Sequence, residues 1–425
     1  NYKHSWRTSN MTRMKDSGNP WVREIPGDWF EKKLRYLVEL RGEKSVTTDY
    51  KKYVGLENIM SQTGQYVQTG IEVDLTENLT FEVGDILFGK LRPYLRKYWR
   101  AEFSGTASSE FVIIKGSSLN LNFLFWAIQS DSFINDVDSS TYGSKMPRAS
   151  WEYMKNIKLP FPESIEEQTQ IADFLDKKVA QLDKVKSLLE EQIKTLEDYR
   201  QSLIYETVTK GLDKTVPLKD SGVDWIGQIP EGWGVKPIKY CSRFQRGFGF
   251  PVELQGNDDG EIPFYKVSDL RGNSDEISIS KNYVDLQTAK QNAWVIVPSG
   301  AIIAPVIGAA LLNNNRKIST VPFISDNNTL AIIPNNKNKY FYYLFKVIDM
   351  NWFNNSSTIP AVNISKLANQ IVPTPKEEEQ KQIADFLEVQ IIKIDKLIEI
   401  KQKQINNINQ QRQTLIYDVV TGKRR

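Results

Sequence analysis

Lys90, Arg92, Arg96, Lys97 and Arg100 fall within eleven residues that contain no acid and are interleaved with Tyr94, Tyr98 and Trp99. Cations at that density can neutralise phosphates, and arginine's paired donors match a guanine edge. The competing reading is a solvated basic strand face. Two Arg-Gly pairs, Arg41-Gly42 and Arg246-Gly247, suggest loops where glycine admits a close ligand while arginine reaches it, or else plain turns bearing a surface arginine. Further basic candidates in the second half are scattered: Arg243, Lys266, Arg271, Arg316 and Lys317. Two Ser/Thr-rich loops add Lys145 and Arg148, and Ser357 and Thr358, which suit phosphate contact or simple turn filling.

Catalytic chemistry finds little support. Gly84 to Lys90 has phosphate-loop spacing, yet Leu91 stands where a magnesium-binding hydroxyl is needed, and the Ile-Leu-Phe interior reads as a buried strand. One cysteine, Cys241, and one histidine, His4, rule out a zinc cluster, a Cys-His nucleophile and a disulfide framework. Gly247-Phe248-Gly249 is too short for a dinucleotide fingerprint, and no Asn/Asp-Pro-Pro-Tyr/Phe segment of an amino-methyltransferase is present. Acidic residues are plentiful, but no pair of carboxylates is singled out. The net charge of +3 over 425 residues places any nucleic-acid contact in local clusters.

The elements that would carry these residues are written twice. Of the 43 positions from Glu167 to Thr209, 19 are identical to those 212 residues further on, including Gln-Ile-Ala-Asp-Phe-Leu at Gln170 and Gln382 and the Leu-Ile-Tyr ends. Leu175, Leu182, Leu189, Leu196 and Leu203 recur every seven residues and predict one apolar seam. Leu387, Ile391, Ile394, Ile398, Ile405, Ile408 and Leu415 continue it in the second copy, interrupted by Lys401. Ser164 before Glu167 predicts a capping-box start, and Gly211 a stop. Two helices of roughly 44 residues, each about 65 Å long, are expected.

The repeat covers whole halves. Lys15-Asp16-Ser17-Gly18, Trp21, Ile25-Pro26 and Trp29 return as Lys219-Asp220-Ser221-Gly222, Trp225, Ile229-Pro230 and Trp233. Within the bodies, Arg41-Gly42 aligns with Arg246-Gly247, Tyr53–Ile59 with Phe264–Leu270, Gly84–Leu87 with Gly300–Ile303, and Phe111–Ile114 with Leu330–Ile333. These short apolar runs predict mainly strands, with one helix near Leu121–Ser130 and another near Tyr340–Met350. The uncharged run Trp294–Leu312 is broken by Pro298, Gly300, Pro305 and Gly308, so two short buried strands are expected there rather than a membrane span. The expected organisation is an N-terminal tail (1–19), a first recognition domain (20–163), a long helix (164–211), a second recognition domain (212–375) and a second long helix (376–425). Part of the polar tail need not be native.

The lead-in, variable body, Pro-x-Pro stop, Glu-Gln-x-Gln-Ile-Ala-Asp-Phe-Leu helix and Leu-Ile-Tyr end, each present twice, resemble the specificity subunit of type I restriction-modification systems along essentially the whole chain. That resemblance implies an α+β fold: two mainly-β α/β target-recognition domains joined by long helices that pair as an antiparallel coiled coil, with a pseudo-two-fold internal repeat. It implies a non-catalytic, cytoplasmic subunit whose two domains read the halves of an asymmetric bipartite DNA site. Half-sites read from one face of a duplex lie about 34 Å apart. Two methyltransferase (M) subunits would dock on the helices and bring S-adenosylmethionine; restriction (R) subunits, joined through them, would use ATP and magnesium. This chain itself would bind no cofactor or metal. A coiled-coil scaffold binding only proteins, and a self-contained methyltransferase or nuclease, are the alternatives.

Overall fold

The computed structural model describes residues 13–424, apart from 20, 47–51, 70–76, 144–145, 273, 312, 337 and 356–358. The long helices run Ile165–Lys210 and Glu377–Val420. Ser164 caps the first by accepting from the Glu167 amide (3.2 Å). Gly211, at φ +70°, ends it in the left-handed conformation that glycine adopts without strain. The chain forms two compact units, Asn1–Glu190 with Gln402–Arg425, and Glu191–Lys401. Each unit therefore contains the N-terminal half of one long helix and the C-terminal half of the other.

Within each unit the two half-helices pack in opposite directions. In the first, Ala172, Leu175 and Val179 share a cluster with Ile416, Val419 and Val420, while Asp183 lies 3.5 Å from Arg412. In the second, Ala384, Leu387 and Ile391 cluster with Ile204 and Val208, while Asp395 lies 2.5 Å from Arg200. These are the same contacts, because every partner except Val419 stands 212 residues from its counterpart. Lys401, which breaks the apolar pattern, donates to Gln192 (2.6 Å). Of the seam residues, Leu175, Leu387, Ile391, Ile394 and Ile405 are buried; Leu182, Leu189, Leu196, Leu203, Ile398, Ile408 and Leu415 are half-buried. Burial passes instead to Ile204, Val208, Ile383 and Ile416. An α-helix drifts about 20° per heptad against a seven-residue repeat, so the contact line leaves the leucines toward the helix C-termini.

The bodies share a sheet order. In the first unit Val38–Leu40, Phe111–Ser117, Ile86–Gly89 and Tyr98–Arg100 are antiparallel neighbours in that sequence. In the second the order is Ser242–Arg246, Thr329–Pro334, Ile302–Pro305 and Lys317–Ser319, with Glu276–Ile277 added parallel at the edge. The central strands read as unbroken apolar runs because both faces are covered. Ile86, Phe88, Val112 and Ile114 enter one core, and Leu87, Trp99, Phe111 and Ile113 another. A smaller sheet follows in each body, where Tyr53–Val54 pairs parallel with Thr106–Ala107 and Phe264–Tyr265 pairs parallel with Ile324–Ser325. Helices at Leu121–Ala127 and Tyr340–Val347 cover the sheets.

Both lead-ins are hairpins. Met14–Asn19 pairs with Val22–Pro26, and Leu218–Asp220 with Gln228–Pro230, and in each an aspartate accepts from a left-handed glycine two residues on (Asp16 from Gly18, Asp220 from Gly222, both 2.9 Å). The first hairpin begins at Met14, so the tail drawn as residues 1–19 takes in the whole of its first strand and the boundary falls within the hairpin. Trp294–Leu312 departs from the expected two strands: among its described residues it holds one, Ile302–Pro305, isolated bridges at Val297 and Ile307, and a short 3-10 turn. Among the described residues no helix is long and apolar enough to cross a membrane.

Leu387→Ala should lower the unfolding free energy by about 2–5 kcal/mol in urea denaturation, and Leu189→Ala by less than half as much. Equal losses would mean that the leucine spacing, not the drifted line, marks the contact.

Candidate nucleic-acid interface

The basic run of the first unit splits on folding. Tyr98 and Trp99 lie in the sheet, fully buried on opposite faces. What remains outside is a turn, Arg92 to Arg96, whose central Pro93–Leu95 forms one 3-10 step. Both flanking arginines are left-handed (φ 50° and 54°), a strained state for a residue with a Cβ. Tyr94 projects from the tip, half exposed. The Arg92 amide donates to the Pro147 carbonyl (2.7 Å), and Leu91 bridges Arg148, so the turn is laced to the closing loop. Exposed Tyr142 and Met146 stand on that loop. The second unit repeats the lacing with different residues: Ile307 bridges Ala361, the Gly308 amide donates to Pro360 (2.8 Å), and Ile307, Ile359 and Trp352 are exposed there. A rigidly laced pair of loops with variable tips is a frame suited to reading variable targets.

Several of the expected DNA-contacting cations are taken up inside the first unit. Arg41 holds Asp85 through Nε (2.6 Å) and Nη2 (3.4 Å), with Glu82 at 3.5 Å, and this hydrogen bonding raises the arginine's pKa. Arg96 meets Asp131 at 2.5 Å. Arg148 forks onto Glu110 (2.6 and 3.1 Å). Lys97 donates to the Leu56 carbonyl (2.6 Å), and burial lowers the pKa of both Lys90 and Lys97. Arg92 lies in the left-handed turn, Gly42 is exposed, and Lys145, Ser357 and Thr358 lie outside the described residues.

In the second unit Arg243, Arg246 and Arg271 are exposed and hold no ion pair among the described residues. Gly247 packs so closely on the Asp326 carbonyl that a Cβ there would overlap it. Lys266 reaches Gln255 (2.9 Å) and faces Asp326, whose carboxyl is pushed up by burial. Gly247, Lys266 and the buried Asp326 are thus neighbours, and exposed Arg246 directly precedes Gly247. Arg316 and Lys317 do not join them. Arg316 is buried, donates to the Ile348 carbonyl (2.8 Å), and has its pKa lowered to about 10 by desolvation.

The two Arg-Gly pairs occupy different stations. Gly89 pairs with Phe111 and Pro305 with Thr329, so Phe111 corresponds to Thr329 and the sequence alignment is one residue out. Leu40 lies opposite Ile114 and Phe244 opposite Ile332, which sets Gln245, not Arg246, at the station of Arg41. A one-residue slip turns a side chain to the other face of a strand. Arg41 accordingly meets Asp85 while Arg246 faces outward. Ala301 stands in the second unit where the first has Asp85.

Sequence reading missed the apolar surface of the helices. Val185 and Leu188 in the first, and Leu397 and Ile400 in the second, are exposed and stand at equivalent positions 212 apart. Their spacing, off the buried seam, was the available signal.

The family model of the type I restriction modification DNA specificity domain matches residues 26–197 and 230–410. The MjaVIII specificity subunit of Methanocaldococcus jannaschii, a type I restriction enzyme component, is 23% identical over 94% of this chain and 93% of its own length. A chain from a structural study of type I R-M complex assembly and conformational transition superposes with a TM-score of 0.72 at 18% identity, covering 93% of this chain and 98% of its own. The HsdS subunit of Thermoanaerobacter tengcongensis gives 0.51 at 18% identity, covering 94% and 98%.

Arg41→Ala would strand the Asp85 carboxylate and should destabilise the chain by about 3 kcal/mol. Arg246→Ala should stay within about 0.5 kcal/mol. If chemical denaturation finds the two equally harmless, the pair does not hold Arg41.

Proposed function

The chain belongs to the type I restriction-modification DNA specificity family, and from that premise we propose that each unit reads one half of an asymmetric, gapped DNA site. The observation that carries this reading is one frame filled in two ways. Both units keep the sheet order, the laced loops and the helix contacts, while the side chains at the loop tips differ. Two readers of one design with unlike tips suit a target whose halves differ. In the second unit Arg246 and Lys266 are the leading contacts, with Gly247 letting the backbone come close; in the first, the Arg92–Arg96 turn and Tyr94 take that place.

In this reading the chain performs no chemistry. M subunits supply S-adenosylmethionine and methylate adenine, and R subunits, attached through them, use ATP and magnesium for cleavage. The exposed apolar pairs Val185 with Leu188 and Leu397 with Ile400 suit docking of two identical partners, one on each helix, because identical partners need equivalent surfaces. Interfaces centred on such apolar residues lose their driving force when a charge is introduced.

Three outcomes test these assignments. Mapping methylated adenines in cells that express the chain with its M partner should return one asymmetric gapped motif; a contiguous or absent motif would refute the two-reader arrangement. Arg246→Ala should relax preference at one half-site by about 1–3 kcal/mol and leave the other untouched, whereas uniform weakening would mark a phosphate contact. Val185→Glu with Leu188→Glu should reduce the bound M subunits from two to one by native mass spectrometry. Retention of two would remove that surface from the interface.

A further inference from the structure

Tyr36 and Tyr240 occupy the same place in the two units. Each ends a 3-10 turn directly after the strand that pairs with the last strand of its body (Phe30–Lys33 with Lys158–Phe161, Gly234–Pro237 with Ile371–Thr374). The turns are pinned alike: the Leu34 amide donates to Ile157 (2.9 Å) and the Ile238 amide to Gln370 (2.9 Å). Both tyrosines are strongly exposed, 65% and 64%. A cation sits over each ring, the Arg35 guanidinium at 4.8 Å and the Lys239 ammonium at 5.4 Å. Folding usually buries an aromatic ring of this size or leaves it bare. Here, two halves whose loop tips diverge carry the same exposed pair.

The surroundings are basic. In the first unit Lys32, Lys33 and Lys158 lie on the paired strands beside Arg35, and Lys155 follows the adjoining helix. Lys33 reaches the neutral amide of Asn156 (3.4 Å), as Lys239 reaches that of Asn369 (2.7 Å). Lys236 and Lys366 complete the second patch. The segments 30–36 and 152–158 carry five cations and two carboxylates, and the segments 234–240 and 365–371 carry three cations and none. Each patch therefore nets +3, and the two together exceed the +3 of the entire chain.

We propose that these two patches grip the sugar-phosphate backbone of DNA, one at each half of the site, independently of the bases read. The inference rests on the DNA-recognition reading above and deepens it. Base-reading surfaces differ between the units because the half-sites differ, but the phosphate backbone is the same at both, so a backbone contact is what a diverging pair of readers would retain. The composition favours a polyanion over a protein face. Lysine, depleted in protein–protein interfaces, supplies all but one of the cations. A phenol and a cation side by side offer one phosphate two donors, and stacking on the ring orients the cation without neutralising it.

The test uses the full complex with M subunits, comparing Lys32→Ala/Arg35→Ala and Lys236→Ala/Lys239→Ala with the unaltered chain. Affinity is measured for a duplex bearing the methylated motif and for a scrambled duplex across 50–200 mM salt. Each double variant should weaken both duplexes by the same factor, leave their ratio unchanged, and flatten the log-affinity against log-salt slope by about 1.8, the loss of two phosphate contacts. An unchanged slope, or a loss confined to the motif duplex, would overturn the proposal. So would a fall in bound M subunits on native mass spectrometry, which would make the patch a protein-docking face. If the unaltered complex shows no preference between the duplexes, the recognition reading fails instead, and the slope still reports on the patches.

Discussion

Everything in this chain depends on two long helices meeting in opposite directions. The ion pairs Asp183–Arg412 and Arg200–Asp395 express the constraint most compactly, because they are one contact made twice with the helices exchanged. A duplicated sequence can satisfy both pairs at once only when the helices run antiparallel. The apolar residues obey the same rule, with Leu175 and Val179 meeting Ile416 and Val420 in one unit as Leu387 and Ile391 meet Ile204 and Val208 in the other. The exposed Arg200–Asp395 pair contributes little energy, so the burial of these aliphatic residues holds the helices together while the charges fix register.

The pairing also anchors each body. Gly422, at the end of the second helix, packs against Pro26 and Trp29, and Gly211 packs against Pro230 and Trp233. Trp233 donates to Glu379 (2.9 Å) and Trp126 to Asp176 (2.8 Å), so indole nitrogens tie each body to the helix that follows it. With the base of each body fixed this way, the far loops are free to vary. Arg92–Arg96 and Val306–Arg316 differ in length and chemistry, yet both are laced to the closing loop. Restraint at the base and licence at the tip is the arrangement a family of readers requires.

Much of this was legible in the letters, and the limits have physical causes. The helices were readable because repetition with a constant offset and a regular apolar spacing are both local signals. The central strands were readable as continuous apolar runs. The ion pairs of Arg41, Arg96 and Arg148 were not, because their acids, Asp85, Asp131 and Glu110, are 44, 35 and 38 residues away. The acid-free run from Lys90 to Arg100 looked like an open basic surface only because its carboxylates come from elsewhere in the chain. The mismatch between Arg41 and Arg246 was hidden too, since a one-residue register shift leaves no mark on composition. The tyrosine pair lay in plain view at Arg35-Tyr36 and Lys239-Tyr240, but exposure is what gives it meaning, and exposure is a property of the fold.

The antiparallel exchange can be tested directly by cysteine cross-linking in a Cys241→Ser background. Asp183→Cys with Arg412→Cys, and separately Arg200→Cys with Asp395→Cys, should each give an intramolecular bridge whose yield does not depend on protein concentration. Asp183→Cys with Asp395→Cys, which a parallel in-register pair would bring together, should give none within the chain. The reverse pattern, with efficient bridging in the Asp183→Cys/Asp395→Cys variant and none in the other two, would contradict the account.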